Sequence, residues 1–389
     1  MKPKIAIIIE RADAALGGAE RSVSELTEAI GEVGYETHIL AAKGQAAAPN
    51  VHILCADTGG KRTSCQVFAQ ALKKHTEENH YDILHSVLPF DFADIYQPRS
   101  GTFAESIIRK AATYRYPFLQ VLKRKTAFLN FSRTAWFNAE RRLAEGQTGP
   151  LVVAISNYVA EQFRTHYHIP ENRMVVIPNG VKPAGQIDKS SVDSLRAKLS
   201  VRPDSILFLF VGHDFQRKGL DCLVEAIGKL QKKDNNTPVR LVVAGRASSK
   251  AYCRLAAKLG VEEKIIFIGD VKNIQELIAA TDVAVLPTFD DPCSRFILEA
   301  LAAGKPVITT KFNGAIDLFT DNRHGRAIDD PRDIAALSDA IGYFTNRDNL
   351  NRAANAIISD NLRQNVSVAR VAQQLKAVYE EILEKRRNR

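Results

Sequence analysis

With 389 residues, 45% apolar and 25% charged, the chain has the composition of a soluble globular protein and is too long for one ordinary core, so two domains are expected. No apolar run approaches the roughly 20 residues of a membrane-spanning helix, and the five cysteines are widely spaced with no CxxC pair, which excludes a disulfide framework and fits a reducing compartment. The net charge of +9 is concentrated in residues 109–142, where nine Arg or Lys face one acid, Glu140; a local patch of this kind points to an anionic partner at one place on the surface.

In chain order, KIAIII (4–9) reads as a first strand. It is too short for a signal-peptide core, so a cytoplasmic protein is expected. A helical pattern, AERSVSELTEAIGEVG (19–34), precedes strands THILAA (37–42) and VHILC (51–55). A second helix, CQVFAQALKKHTEENH (65–80), leads to DILHSV (82–87) and, after the basic segment, to LVVAIS (151–156). Pro178, Gly180, Pro183 and Gly185 punctuate the next stretch and mark a linker. Beyond it, ILFLFVG (206–212), VRLVVAG (239–245), KIIFIG (264–269), DVAVLP (282–287) and PVITT (306–310) alternate with helical patterns, and a last long helix is expected over about 362–386. Runs this apolar imply strands covered on both faces, as in parallel sheets. The expected fold class is α/β, with two Rossmann-like, doubly wound domains facing a central cleft. Their expected bounds are 1–184 and 185–370, with a helix at 371–389 crossing back to the N-terminal domain. No repeat of 20–50 residues appears, so a solenoid is excluded.

Ligands of such sheets bind beyond the C-terminal ends of the strands, and three motifs fall there. GGAERS (17–22) follows the first strand and opens a helix, where Gly17 and Gly18 let the backbone approach a phosphate. It is not the full GxGxxG fingerprint, which counts against a dehydrogenase. FVGHDFQRKG (210–219) puts Arg217 and Lys218 at a strand-to-helix junction, where two fixed cations would stabilise a departing diphosphate; most Arg-Lys pairs are solvated, and the strand-end position favours a ligand. His213 in the same loop is a candidate donor to a sugar hydroxyl or phosphate. FDDPCSRFILEALAAGKPV (289–307) carries Asp291 in a loop and Glu299 about two turns into a helix expected to start near Pro292. Carboxylates accept from paired hydroxyls, so one suits a hexose and the other a ribose. The N–H groups of Cys293, Ser294 and Arg295 are expected to face the diphosphate.

The basic segment interleaves aromatics with cations, as a surface-lying membrane anchor does. Arg115, Lys123, Arg124, Lys125, Arg133 and Trp136 are the expected contacts with an anionic membrane. The chain shows no recognised nucleic-acid motif, so no nucleic-acid partner is expected. A plain helix pair with one solvated basic face is the competing reading. No DxD sequence is present, so cationic side chains rather than a metal are expected to hold the diphosphate, and no cofactor is expected. His166 and His168 form an HxH that reads as surface polarity, not as a metal site. Neither a GxSxG elbow nor a Walker A sequence occurs.

Together these motifs resemble the family 4 retaining glycosyltransferases of GT-B fold, over most of the chain and most strongly over 156–181 and 210–319. Within the family the chain is similar to enzymes that add glucose to the inner core of lipopolysaccharide, through the FQRKG context, KLGVEEKIIFIGDVKNIQELIAATD (258–282) and the basic aromatic segment. The resemblance implies a metal-independent hexosyltransferase, using UDP-glucose and a lipid-linked glycan acceptor, peripherally attached to the inner membrane from the cytoplasmic side. It implies that Arg217 and Lys218 bind the donor diphosphate, Asp291 the donor sugar and Glu299 the ribose. It further implies a main-chain contact from Val271 to the base and an acidic acceptor-side role for Asp94. The family's E-x7-E is D-x7-E here, PCSR lacks the glycine common after the first acid, and Lys182 replaces an Asp after IPNG. A mannosyl- or other hexosyltransferase, a sugar-nucleotide epimerase of the same fold, and a catalytically idle sugar-nucleotide binder at the membrane are the alternatives.

Overall fold

A computed structural model describes residues 2–13, 18–55, 63–146, 148–185, 187–199, 201–202, 204–234 and 237–388, without the side chains of Ala19 and Ser132. Gly17 therefore lies outside the described residues. The chain divides into two compact units, one of residues 1–181 plus 368–389 and the other of 182–367.

The first unit runs β1 (Lys4–Arg11), α1 (Gly18–Glu32), β2 (Glu36–Lys43), β3 (Val51–Ile53), α2 (Cys65–Glu78), β4 (Ile83–Ser86), β5 (Ile95–Tyr96), α3 (Phe103–Ala112), α4 (Pro117–Thr126), α5 (Phe131–Glu145), β6 (Leu151–Ala154), α6 (Asn157–Tyr167) and β7 (Met174–Val176). Its seven strands are all parallel, in the order β3-β2-β1-β4-β5-β6-β7. Side chains alternate between the faces of a strand. In β1, Ile5, Ile7 and Ile9 enter one buried cluster with Leu26 and Ile30 of α1, while Ala6 and Ile8 enter another with Phe68 of α2. That double burial is why the strand reads as an unbroken apolar run.

The second unit runs α7 (Lys189–Lys198), β8 (Ile206–Val211), α8 (Leu220–Lys233), β9 (Val239–Ala244), α9 (Lys250–Leu259), β10 (Ile265–Gly269), α10 (Ile274–Ala280), β11 (Val283–Leu286), α11 (Arg295–Ala302), β12 (Val307–Thr310), β13 (Gly325–Ile328), α12 (Ile334–Thr345), α13 (Arg347–Ser359) and α14 (Leu362–Asn365). Its parallel sheet has the order β10-β9-β8-β11-β12-β13.

The expected single helix over 362–386 is two helices. Asn361 takes a left-handed conformation before the short α14, and α15 (Val368–Arg387) starts afresh where the Val368 N–H donates to the Val181 carbonyl at 2.9 Å. The restart delivers α15 to the first unit. There Val371, Ala372, Leu375, Val378 and Tyr379, one stripe at helical spacing, join the cluster of α1 and β1. Tyr379 is fully buried and shares a 2.6 Å hydrogen bond with His85 at the end of β4. β5, β7 and β13 escape a sequence reading: they are two to four residues long, and β13 carries an arginine in GRAI.

Candidate active site

In both sheets the strand order reverses beside the first strand of the unit, between β1 and β4 and between β8 and β11. Chains leave two such neighbours in opposite directions, which opens a crevice at their C-terminal ends. The second unit fills that crevice with the predicted charges. Asp214, in the loop after β8, folds the turn: its carboxylate accepts from the Arg217 N–H at 3.1 Å and its carbonyl from the Lys218 N–H at 3.0 Å. Gly219 then enters α8 with φ +74°, and a Cβ there would lie 2.0 Å from the Pro287 carbonyl oxygen, so the loop after β8 and the end of β11 touch only because residue 219 has no side chain. The Arg217 carbonyl accepts from the Phe289 N–H at 2.9 Å, which ties the two loops into one surface.

On that surface the Arg217 guanidinium donates to the Asp290 carbonyl at 2.9 Å, and the Lys218 ammonium donates to Asp291 Oδ2 at 2.5 Å. Lys218 is buried, and burial lowers its pKa although Asp291 pulls the other way. A cation kept in so dry a place acts on a ligand with little solvent screening. Asn313, wholly buried, braces the next turn: its side-chain oxygen accepts from the Ser294 and Ala315 N–H groups at 3.0 and 3.1 Å, while Asp291 pairs with its backbone as a β-bridge.

Two expectations change here. The helix begins at Arg295 rather than near Pro292, so Glu299 is its fifth residue instead of two turns in. The Ser294 N–H is taken by Asn313, so it does not face a diphosphate; an internal acceptor outcompetes the open helix end. Cys293 and Ser294 are buried. Glu299 is buried too, and Arg295 one turn before it donates to Oε1 from Nε at 3.1 Å and Nη2 at 3.0 Å. His213 is exposed in the loop after β8, and Val271 is half-buried just past β10, both at the same end of the sheet.

In the first unit Gly18 opens α1 at the corresponding edge. Asp94 does not lie there. It precedes β5, at the N-terminal edge of the sheet, where it accepts from the Leu84 N–H at 2.8 Å and pairs with Arg386 of α15. Residues before a parallel strand fall at the end opposite to the ligand crevice, so Asp94 clamps the return helix and is withdrawn from the acceptor side. The edge instead holds a polar group the sequence reading passed over: Arg99 donates to Ser22, to Gln97 at 2.8 Å and to Asn179 at 2.7 Å, from beyond β5, α1 and β7. These residues are scattered over 158 positions and no motif links them.

The basic segment forms α3, α4 and α5. α4 buries none of its residues, and Tyr116, Phe118, Val121, Leu122, Leu129 and Phe131 are exposed, Phe131 by 90%. Arg115, Lys123, Arg124 and Lys125 are exposed among them and Arg133 is half-buried. Trp136 is a correction. It is 4% exposed and packs edge-to-face on Phe90 at 5.7 Å, because Trp136, Glu140 and Leu143 form the inward stripe of α5. The HxH pair is structural: His166 bonds Glu105 at 2.7 Å and His168 ends α6 in a left-handed turn. Among the described residues no three His, Cys, Asp or Glu converge as metal ligands do, and no helix is long and apolar enough to cross a membrane.

The profile of the family described as Glycosyltransferase Family 4 matches residues 16–184, and that of Glycosyl transferases group 1 matches residues 191–359. The lipopolysaccharide glucosyltransferase WaaG of Escherichia coli K12 is 23% identical over 335 residues, covering 84% of this chain and 85% of WaaG. The lipopolysaccharide core biosynthesis glycosyltransferase LpsE of Rhizobium meliloti is 29% identical over 166 residues, 43% of each chain. The crystal structure of WaaG superposes with a TM-score of 0.69 at 21% identity over 98% of both chains. Anabaena HepE with UDP-glucose gives 0.70 at 18% identity over 97% of this chain and 99% of its own. Two glycosyltransferase models, one for each half, together account for most of the sequence, the solved structures share both parallel sheets, and the chain belongs to the GT-B glycosyltransferases of group 1 and family 4.

Proposed function

We propose that the protein is a retaining hexosyltransferase that moves glucose from UDP-glucose to a lipid-linked glycan of the lipopolysaccharide-core type, working at the inner face of the membrane without a metal. The observation that carries the reading is the pair of buried Lys218 and half-buried Asp291, with Arg217 beside it, at the switch point of the second sheet. Arg217 and Lys218 take the donor diphosphate, Asp291 the hexose hydroxyls and Glu299 the ribose, with Val271 at the base. The paired Lys218 holds the carboxylate of the shorter Asp291 in one place.

In this reading the bond from the anomeric carbon to the diphosphate breaks, its electron pair leaves with the phosphate oxygen, and the two cations stabilise the growing charge. The acceptor hydroxyl attacks the same face, and its proton passes to the departing phosphate oxygen. The protein contributes position and charge rather than a nucleophile. The names of WaaG and LpsE favour a lipopolysaccharide acceptor. The exposed apolar and basic face of α4 favours a lipid surface over a soluble glycan.

Thermal-shift measurements across UDP- and GDP-sugars test the donor. UDP-glucose at about a hundredfold over its Kd is expected to stabilise the protein by about 2.7 kcal/mol, with GDP-sugars inert. Arg217→Ala is expected to lower kcat by about a hundredfold, the scale of losing one charge-stabilising donor, and to weaken donor binding less. An unchanged kcat contradicts the role.

A further inference from the structure

Arg295 is the first residue of α11, an otherwise apolar helix, RFILEALA, in which Phe296 through Ala302 are all buried. A cation at the start of a helix opposes the helix dipole, so its place there needs a local reason. Glu299, one turn on, supplies one. The guanidinium donates to one carboxylate oxygen, Oε1, from Nε at 3.1 Å and from Nη2 at 3.0 Å, and the two side chains are 14% and 6% exposed. The planar fork holds that oxygen in one orientation.

We infer that Arg295 is a positioning residue for nucleotide recognition: by fixing Glu299 it sets the discrimination between ribose and deoxyribose in the bound nucleotide. This rests on the reading of Glu299 as the ribose contact. Hydroxyl recognition depends on a preplaced acceptor, since a site built to bind a hydroxyl rejects the analogue that lacks it only when the acceptor cannot turn elsewhere. Arg295 acts through Glu299 and does not itself touch the reacting atoms. Lysine reaches the same carboxylate with a single point charge and without the fork, so it restores the charge and only part of the orientation.

Isothermal titration of the full chain with UDP, 2′-deoxy-UDP and 3′-deoxy-UDP tests this. The wild type is expected to bind UDP at least tenfold more tightly than one of the deoxy analogues. Arg295→Ala is expected to bring that ratio to within about twofold, and Arg295→Lys to give an intermediate value. The three proteins are compared at a temperature where each is folded by circular dichroism. Should Arg295→Ala fail to fold, Arg295→Lys and Arg295→Gln carry the test. A variant that binds all three nucleotides more weakly at an unchanged ratio shows a merely structural role and overturns the inference, leaving the ribose reading intact. A wild type that ignores the missing hydroxyls, or does not bind UDP, overturns the ribose reading and the inference with it.

Discussion

Glu140 lies on the inward stripe of α5, fully buried, where its carboxylate accepts from the Tyr96 and Tyr167 hydroxyls and the Phe103 N–H, all at 2.7 Å. Burial pushes its pKa up to about 7 from 4.5, against the pull of those donors. A carboxyl raised in this way binds its proton more tightly folded than unfolded. Its contribution is therefore full below about pH 4.5 and is lost as pH rises through about 7. His85 works in the opposite sense: buried and held near 3, it stabilises the fold above its ordinary 6.5 and loses that contribution as the solution is acidified. Glu140→Gln removes the first of these. Because the His85 contribution grows over the same window, the test is the difference between the two proteins: relative to the variant, the wild-type unfolding free energy from urea titration is expected to fall between pH 5 and pH 8 by on the order of 3 kcal/mol. Parallel profiles for the two proteins contradict the account.

At the scale of elements, α4 is the departure from globular habit. It exposes Phe118, Val121 and Leu122, and α5 opens with exposed Phe131, while Lys123, Arg124 and Lys125 close α4 with a run of charge. The cations at its C-terminus suit the helix dipole and do not need an outside partner. The apolar residues do, since contiguous exposed apolar area marks a binding surface. Replacing Lys123, Arg124 and Lys125 by Ala removes about 1 kcal/mol each at an anionic surface, so binding to phosphatidylglycerol vesicles at low salt is expected to weaken by about a hundredfold. Sedimentation with vesicles measures it, and equal binding of both proteins rejects the membrane contact. α11 shows the contrary arrangement, an apolar helix that admits one charge pair and buries it.

At the scale of the whole molecule, the first unit is built from both ends of the chain. Its sheet is covered on one face partly by α15, whose Leu375 is fully buried against residues more than three hundred positions away. Leu375→Ala is expected to cost about 2–5 kcal/mol, read as a lower midpoint for the first unit in denaturant, whereas UDP binding assigned to the second unit persists. Retention of the wild-type midpoint contradicts the covering role of α15.

What the sequence determined by itself was local. Apolar runs with β-branched residues, alternating with helical patterns, pointed to strands buried on both faces, so the two parallel sheets were legible. FVGHDFQRKG and the D-x7-E spacing put Arg217, Lys218 and Asp291 beyond two strands that the sheet makes neighbours. Tertiary structure decided the rest, because it depends on which end of a strand faces which neighbour. Asp94 lies seven residues past Val87 yet at the wrong edge of the sheet, since a strand's start and its finish are at opposite ends. Trp136 stands among basic and aromatic residues yet points inward, because the stripe of α5 is set by Phe90 and not by its neighbours in sequence. Ser294 lost its helix-end N–H to Asn313, a side chain nineteen positions on. Pairings of this kind follow from packing between elements, and hydropathy along one element carries no record of them.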